Sequence, residues 1–113
     1  MYSIKEASQL TTIPSSTIRY YETIQLIPPI KRNKQGNRVL DNKDIEILRL
    51  ILCFRKLGMS IQEIQLSLKQ IELEDKNTND ILLAHQMKLE EQIHLLTSHI
   101  DDIQTKIAQR NEQ

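Results

Sequence analysis

Tryptophan is missing from this chain of 113 residues, and only four aromatics stand in it: Tyr2, Tyr20, Tyr21 and Phe54, all in the first half. A core built from that half alone is small and marginal, which predicts support from a second chain. A single cysteine, Cys53, excludes an intramolecular disulfide and any multi-cysteine metal site within one chain. No run of about 18 apolar residues occurs and no signal-peptide pattern is visible, so the expectation is a soluble cytoplasmic protein with no membrane association. Glycine (two) and proline (three) are scarce while Leu and Ile recur at even spacing, which predicts a mostly α chain.

Net charge is also absent, yet the charges are unevenly placed. Residues 1–58 hold ten Lys/Arg against five Asp/Glu, and residues 59–113 carry the matching acidic excess. A basic head on an acidic tail predicts that the head alone meets a polyanion.

Ser3-Ile4-Lys5-Glu6 is a capping box, opening a first helix that runs to about Leu10 with Ile4, Ala7 and Leu10 on its buried face. Thr11-Thr12-Ile13 make a tight turn, and Pro14 suits the start of a second helix through Glu22. Two short helices joined by about three residues form a helix-turn-helix. Pro28-Pro29 end helical structure, and the Gly36 turn between Ile30 and Leu40 reads as a small β-hairpin wing. Asp41 caps a third helix, with Asp44 in the acid position of the box and Ile45, Leu48, Ile51, Leu52 and Leu57 on the apolar face. Gly58 closes that helix, and Ser60-Ile61-Gln62-Glu63 opens a fourth through Ile64, Leu68 and Ile71.

After a polar stretch, Asn77-Thr78-Asn79 supply a new start and the apolar residues fall into heptads. Ile93, Ile100 and Ile107 stand at a, with polar Gln86 before them, and Leu82, Leu89, Leu96 and Ile103 stand at d. This is the seam of a coiled coil, too narrow a stripe for a helix alone in water, so the tail is expected to pair with itself in a homodimer through residues 79–110. The expected organisation is a winged helix-turn-helix DNA-binding domain over 1–71, a linker over 72–78 and a dimerising coiled-coil helix over 79–113.

Ser15, Ser16, Thr17, Arg19, Tyr20 and Tyr21 lie on the second helix, where hydroxyls and an arginine suit phosphates and base edges in a major groove. Lys31, Arg32, Lys34 and Arg38 on the wing can reach neighbouring phosphates and add salt-dependent affinity. Ile18-Arg19-Tyr20-Tyr21-Glu22, Leu26-Ile27-Pro28-Pro29, the Gly36-x-Arg38 wing and Leu57-Gly58-Met59-Ser60-Ile61-x-Glu63 together resemble the MerR family of transcription regulators, over residues 2–71. The resemblance implies a homodimer with an antiparallel coiled coil, bound to a palindromic operator in an overlong promoter spacer. It implies activation by distorting the DNA, so that RNA polymerase is reached indirectly, through double-stranded promoter DNA. By position it makes Thr17, Arg19, Tyr20, Tyr21 and Arg38 DNA contacts, with Arg55 or Lys56 as a second wing. Two departures stand out: Leu40 occupies the place of a family tyrosine, and Thr12 that of a turn glycine.

No cofactor is expected. The short stretch beyond the coil leaves room neither for a ligand-binding domain nor for a metal-binding loop. His94 and His99 are five apart rather than four, against a shared metal on one helix face, and His85 with them is read as solvated or helix-packing. Cys53 has two readings from its residue chemistry. It is a small buried hydrophobe between apolar neighbours, or a thiolate favoured by Arg49 one turn before and Lys56 one turn after. Ile51-Leu52-Cys53-Phe54-Arg55-x-x-Gly58 is similar to the aldehyde- and thiol-stress-responsive subgroup of the family, which implies a sensor at Cys53. A sensor-less DNA-architectural protein, a regulator with another effector and a structural Cys53, and a coiled-coil adaptor are the alternatives. An enzyme is not expected, because no compact pocket domain remains once head and tail are assigned.

Overall fold

Four helices of this chain start on a reciprocal side-chain cap. In a computed structural model, which describes residues 1–112, the cap pairs are Ser3 with Glu6, Asp41 with Asp44, Ser60 with Glu63 and Asn77 with Asp80. Each pair satisfies two backbone N–H groups that the first helical turn leaves without a partner. Both N-terminal acids of the head feel it. The Ser3 backbone N–H lowers the carboxyl pKa of Glu6, and the Asp44 backbone N–H, with Lys31 nearby, lowers that of Asp41.

The elements run α1 (Ile4–Thr11), α2 (Ser15–Thr23), β1 (Lys31–Arg32), β2 (Arg38–Val39), α3 (Asn42–Lys56), α4 (Ile61–Leu73) and α5 (Thr78–Asn111). Two compact units result, Met1–Lys69 and a second that begins at Gln70. The mostly helical winged helix-turn-helix expected from the sequence is present, with its hairpin and its long final helix.

In the head, α1 packs on α2 and α3. Ala7, Ile18, Leu40, Leu48, Ile51, Phe54 and Ile64 are fully buried, and Ile4, Ile13, Tyr21, Leu26, Ile27, Ile45 and Met59 are packed with them. Two expectations about its faces are corrected. Leu10 is 44% exposed, and Thr11 takes its place beside Ile4 and Ala7. A threonine is tolerated there because its hydroxyl donates to the Ala7 carbonyl at 2.7 Å and accepts the Ile13 N–H at 3.2 Å. On α3, Phe54 is fully buried, Leu57 is 43% exposed and Leu52 half-buried. Ile45, Leu48, Ile51 and Phe54 recur every three residues, and the helix ends before Leu57 could complete another turn.

The turn between α1 and α2 needs a left-handed residue, and Thr12 supplies it at φ 65°. A glycine would adopt that conformation without the Cβ penalty. Gly36 serves the same purpose in the wing at φ 82°, where open space surrounds it and only the backbone conformation matters. The hairpin pairs Lys31 with Val39 and Arg32 with Arg38. Two-residue strands are too short to hold themselves. The Asn33 side chain accepts the Gln35 and Asn37 N–H groups at 3.0 Å each, closing the tip. At the root, Tyr2 and Leu40 exchange both backbone hydrogen bonds at 2.7 Å, and the Tyr2 hydroxyl donates to Asn42 Oδ1 at 2.9 Å. Leu40, at the place of the family tyrosine, is wholly inside the core.

The second unit holds α5, 34 residues or about 51 Å at the usual rise. Its heptad residues form an open stripe: Ile93 is 64% exposed, Leu96 59%, Ile100 54%, Ile103 58% and Ile107 54%. His85 is buried, while His94 and His99 are exposed.

Phe54→Ala is expected to destabilise the head by about 3–5 kcal/mol in urea unfolding, whereas Leu10→Ala changes it by no more than about 0.5 kcal/mol. Equal losses from the two would contradict the placement of α1 and α3.

Candidate nucleic-acid interface

Among the described residues, α2 alone starts without a side-chain cap. Pro14 precedes it, and its carbonyl accepts the N–H groups of Thr17 at 2.9 Å and Ile18 at 3.0 Å. The proline ring favours the entry to the helix, and the first-turn N–H groups of Ser15 and Ser16 are left to the outside.

Ile18 and Tyr21 bury one face of α2, so the remaining residues are sorted by helical geometry. Ser16 and Arg19 are exposed, Ser15 and Thr17 half-buried, and Tyr20 is 53% exposed. The two tyrosines therefore part company. Tyr20 stands outward, while Tyr21 is 8% exposed with ring centroids 6.3 Å from its neighbour. Its ring is a core element.

Arg19 of α2 and Arg32 and Arg38 of the wing line one open cleft, together with Ser3 and Ile4 at the start of α1. Residues from three elements thus converge, and three guanidinium groups concentrate positive charge where a polyanion backbone would lie. Arg32 is braced by donating from Nη1 to the Gly36 carbonyl at 2.8 Å. Arg38 donates from Nε to Glu22 Oε1 at 3.1 Å, and Glu22 Oε2 accepts the Ile30 backbone N–H. Lys31 lies 3.5 Å from Asp41 in an exposed pair, and Lys34 projects from the hairpin tip.

The other candidates fall elsewhere. Arg55 spends Nη1 on the Met59 carbonyl at 2.9 Å, bracing the bend between α3 and α4, and Lys56 is exposed beside it. Cys53 is exposed on α3 and outside the cleft, so within a single chain it is not the buried hydrophobe that one reading expected. The described residues contain no group of three or more His, Cys, Asp or Glu able to hold a metal, and no helix long and apolar enough to cross a membrane. Glu22 stands in the sequence only as the last residue of a motif, and the hydrogen-bonding tasks of Tyr2 and Asn33 show only in the fold. A lone acid between two aromatics and a basic wing was the available signal for Glu22.

A short helix after a tight turn, flanked by a basic hairpin, defines a winged helix-turn-helix head of the DNA-binding class. The family model described as MerR HTH family regulatory protein matches residues 2–71, and the chain belongs to that family of DNA-binding transcription regulators. It is 32% identical to the HTH-type transcriptional regulator YyaN of Bacillus subtilis, over 99% of this chain and 82% of that one. Its fold matches HiNmlR, a MerR family regulator lacking the sensor domain and bound to promoter DNA. That match has a TM-score of 0.67 and 26% identity, over 88% of this chain and 78% of that one. It shares the fold of MtaN, the N-terminus of the Bacillus subtilis multidrug transporter activator, with a TM-score of 0.72 and 22% identity, over 95% and 98% of the two chains. As a member of this family the chain is a regulator and not an enzyme.

Tyr21→Ala is expected to lower head stability by about 3–5 kcal/mol and Tyr20→Ala by less than about 1 kcal/mol. Thermal unfolding followed by circular dichroism decides this, and a Tyr20 loss as large as that of Tyr21 would reverse the assignment.

Proposed function

We propose that this regulator works as a homodimer on a palindromic promoter operator. Each head sets α2 into a major groove and lays its wing along the neighbouring phosphates. The observation that carries this reading is the convergence of Arg19, Arg32 and Arg38 on one cleft beside the outward face of α2. Ser15, Ser16, Thr17 and Tyr20 supply polar and aromatic groups on the same helix, whose first-turn N–H groups suit a phosphate. Lys31 and Lys34 extend the basic edge, and Arg55 and Lys56 offer a second one at the α3–α4 bend. The likeness to a relative bound to promoter DNA supports the same use of the head.

Pairing follows from the tail. An exposed stripe of Leu and Ile at heptad spacing is costly in water and is removed when residues 79–110 of two chains form an antiparallel coiled coil. Two heads then address two half-sites, and the protein acts in the cytoplasm by distorting promoter DNA, so that RNA polymerase responds through the DNA. Distortion is a recognised route to control, since bending a site of 20–30 base pairs costs on the order of 1–6 kcal/mol and is offset by added contacts.

The signal enters at Cys53. Its thiol is exposed on α3, with Arg49 and Lys56 one turn to either side on the same helix. Reactive aldehydes alkylate it, the sulfur adding to the carbonyl carbon and the thiol proton passing to the carbonyl oxygen. Under thiol stress it exchanges with a low-molecular-weight disulfide, forming a mixed disulfide and releasing the other half as a thiol. The added group strains the packing around α3 and shifts the angle between the heads.

Two measurements test this reading. In sedimentation, Ile100→Lys is expected to turn the dimer into monomer and weaken DNA binding at least tenfold; a dimer unaffected by that change would remove the coiled coil. In intact-mass spectrometry with methylglyoxal, formaldehyde and diamide, low doses are expected to modify the folded wild type and spare Cys53→Ser. Modification seen only on unfolding would leave Cys53 a structural residue.

A further inference from the structure

Glu22 is an acid bonded to Arg38 of the basic cleft, and simple electrostatics makes it a liability there. A carboxylate next to a phosphate-binding surface repels the ligand. Its contacts say why it stands where it does. Oε2 accepts the N–H of Ile30, the residue before β1, and Oε1 accepts Nε–H of Arg38, the first residue of β2. One carboxylate at the end of α2 thus holds both strands of the wing. The Glu22 and Arg38 side chains are 19% and 31% exposed, so the pair is more shielded from solvent than the Lys31–Asp41 pair at 70% and 37%.

The geometry of the guanidinium group decides what this leaves for DNA. Arginine carries five N–H donors in a rigid planar fork. Glu22 uses the Nε–H of Arg38, and the Nη groups remain for another partner in a residue that lines the cleft with Arg19. A fork pinned at one end loses less conformational freedom when its other end binds.

We propose that Glu22 is a positioning residue for DNA binding, holding the Arg38 guanidinium and the wing against α2 so that the free Nη donors meet a backbone phosphate. This rests on Arg38 being a phosphate contact, as proposed above. The pair makes a two-faced device, in which the carboxylate gives up attraction for DNA in charge and returns more of it in alignment. The role has an unusual sign. Removing a negative charge from a DNA-binding surface should strengthen binding, and here it weakens it.

The test uses the full chain and a fluorescein-labelled duplex of about 30 base pairs of mixed sequence, because phosphate contacts do not depend on sequence. Anisotropy is measured between about 50 and 200 mM KCl for wild type, Glu22→Gln, Arg38→Ala, Arg38→Lys and the double variant Glu22→Gln/Arg38→Ala. Glu22→Gln is expected to weaken binding roughly five- to tenfold and to lower the salt slope by about 0.9 (the loss of one phosphate contact), as Arg38→Ala does. On the Arg38→Ala background the same change is expected to cost nothing or to tighten binding slightly. Arg38→Lys keeps the charge, loses the fork and is expected to weaken binding severalfold.

Binding by Glu22→Gln as tight as wild type or tighter, or an equal loss on both backgrounds, overturns the positioning role. An Arg38→Ala protein with unchanged affinity and slope removes the phosphate contact itself, and the role of Glu22 with it. A large Arg38→Ala loss beside a neutral Glu22→Gln removes Glu22 alone. Circular dichroism monitors folding. Should Glu22→Gln lose helix, Arg38→Lys decides the matter, since it leaves the bond from Ile30 to Glu22 in place; affinity equal to wild type would then overturn the proposal.

Discussion

Ile18 and Tyr21 stand three residues apart on α2, and both are buried. Nine residues of helix have no stability of their own in water, so this element exists because that face is inside. The same burial decides everything the helix shows to its surroundings. A rotation of about 100°, one residue's worth, would bring Arg19 or Glu22 towards the core and turn an apolar ring to solvent. The outward set of Ser16, Arg19 and Tyr20 is therefore a consequence of core packing.

The wing depends on α2 in turn. Its strands are two residues each, and no hairpin of that length stands alone. Three anchors hold it: the Asn33 side chain inside the tip, the Tyr2–Leu40 exchange at the root, and Glu22 across to Arg38 and the Ile30 N–H. Tip, root and flank are each satisfied by a different part of the chain. The basic side chains of the hairpin thereby acquire defined positions relative to Arg19, although the hairpin is almost wholly exposed.

The tail obeys a different economy. Almost all of α5 is exposed, and Ile93, Leu96, Ile100, Ile103 and Ile107 keep heptad spacing, with Leu83, Met87 and Leu95 as exposed apolar residues outside that stripe. A stripe so narrow has no use inside one small chain and suits a facing helix. Charge is divided in the same way, a basic excess in residues 1–58 and an acidic excess in residues 59–113.

Much of this was legible from residue order because the signals are local. Capping boxes join residues three apart, so Ser3, Asp41 and Ser60 announced their helices without any knowledge of the fold, while the box of Asn77 with Asp80 came from the structure. The same holds for Gly36 in its turn and for the heptads of α5, and the motif blocks of the head led to the family. Packing was not legible in this way. Leu10 looked a better core residue than Thr11, and only the hydroxyl's two bonds made the threonine acceptable inside. Phe54 and Leu57 are equally apolar, and the end of α3 separates them. Tyr20 and Tyr21 are chemically identical, adjacent, and opposite in burial because one helical step divides inside from outside. The carboxylate of Glu22 reaches partners 8 and 16 residues away, and Tyr2 one 40 away. Such contacts arise when the chain closes on itself, where burial and hydrogen-bond satisfaction select among residues that composition treats as alike.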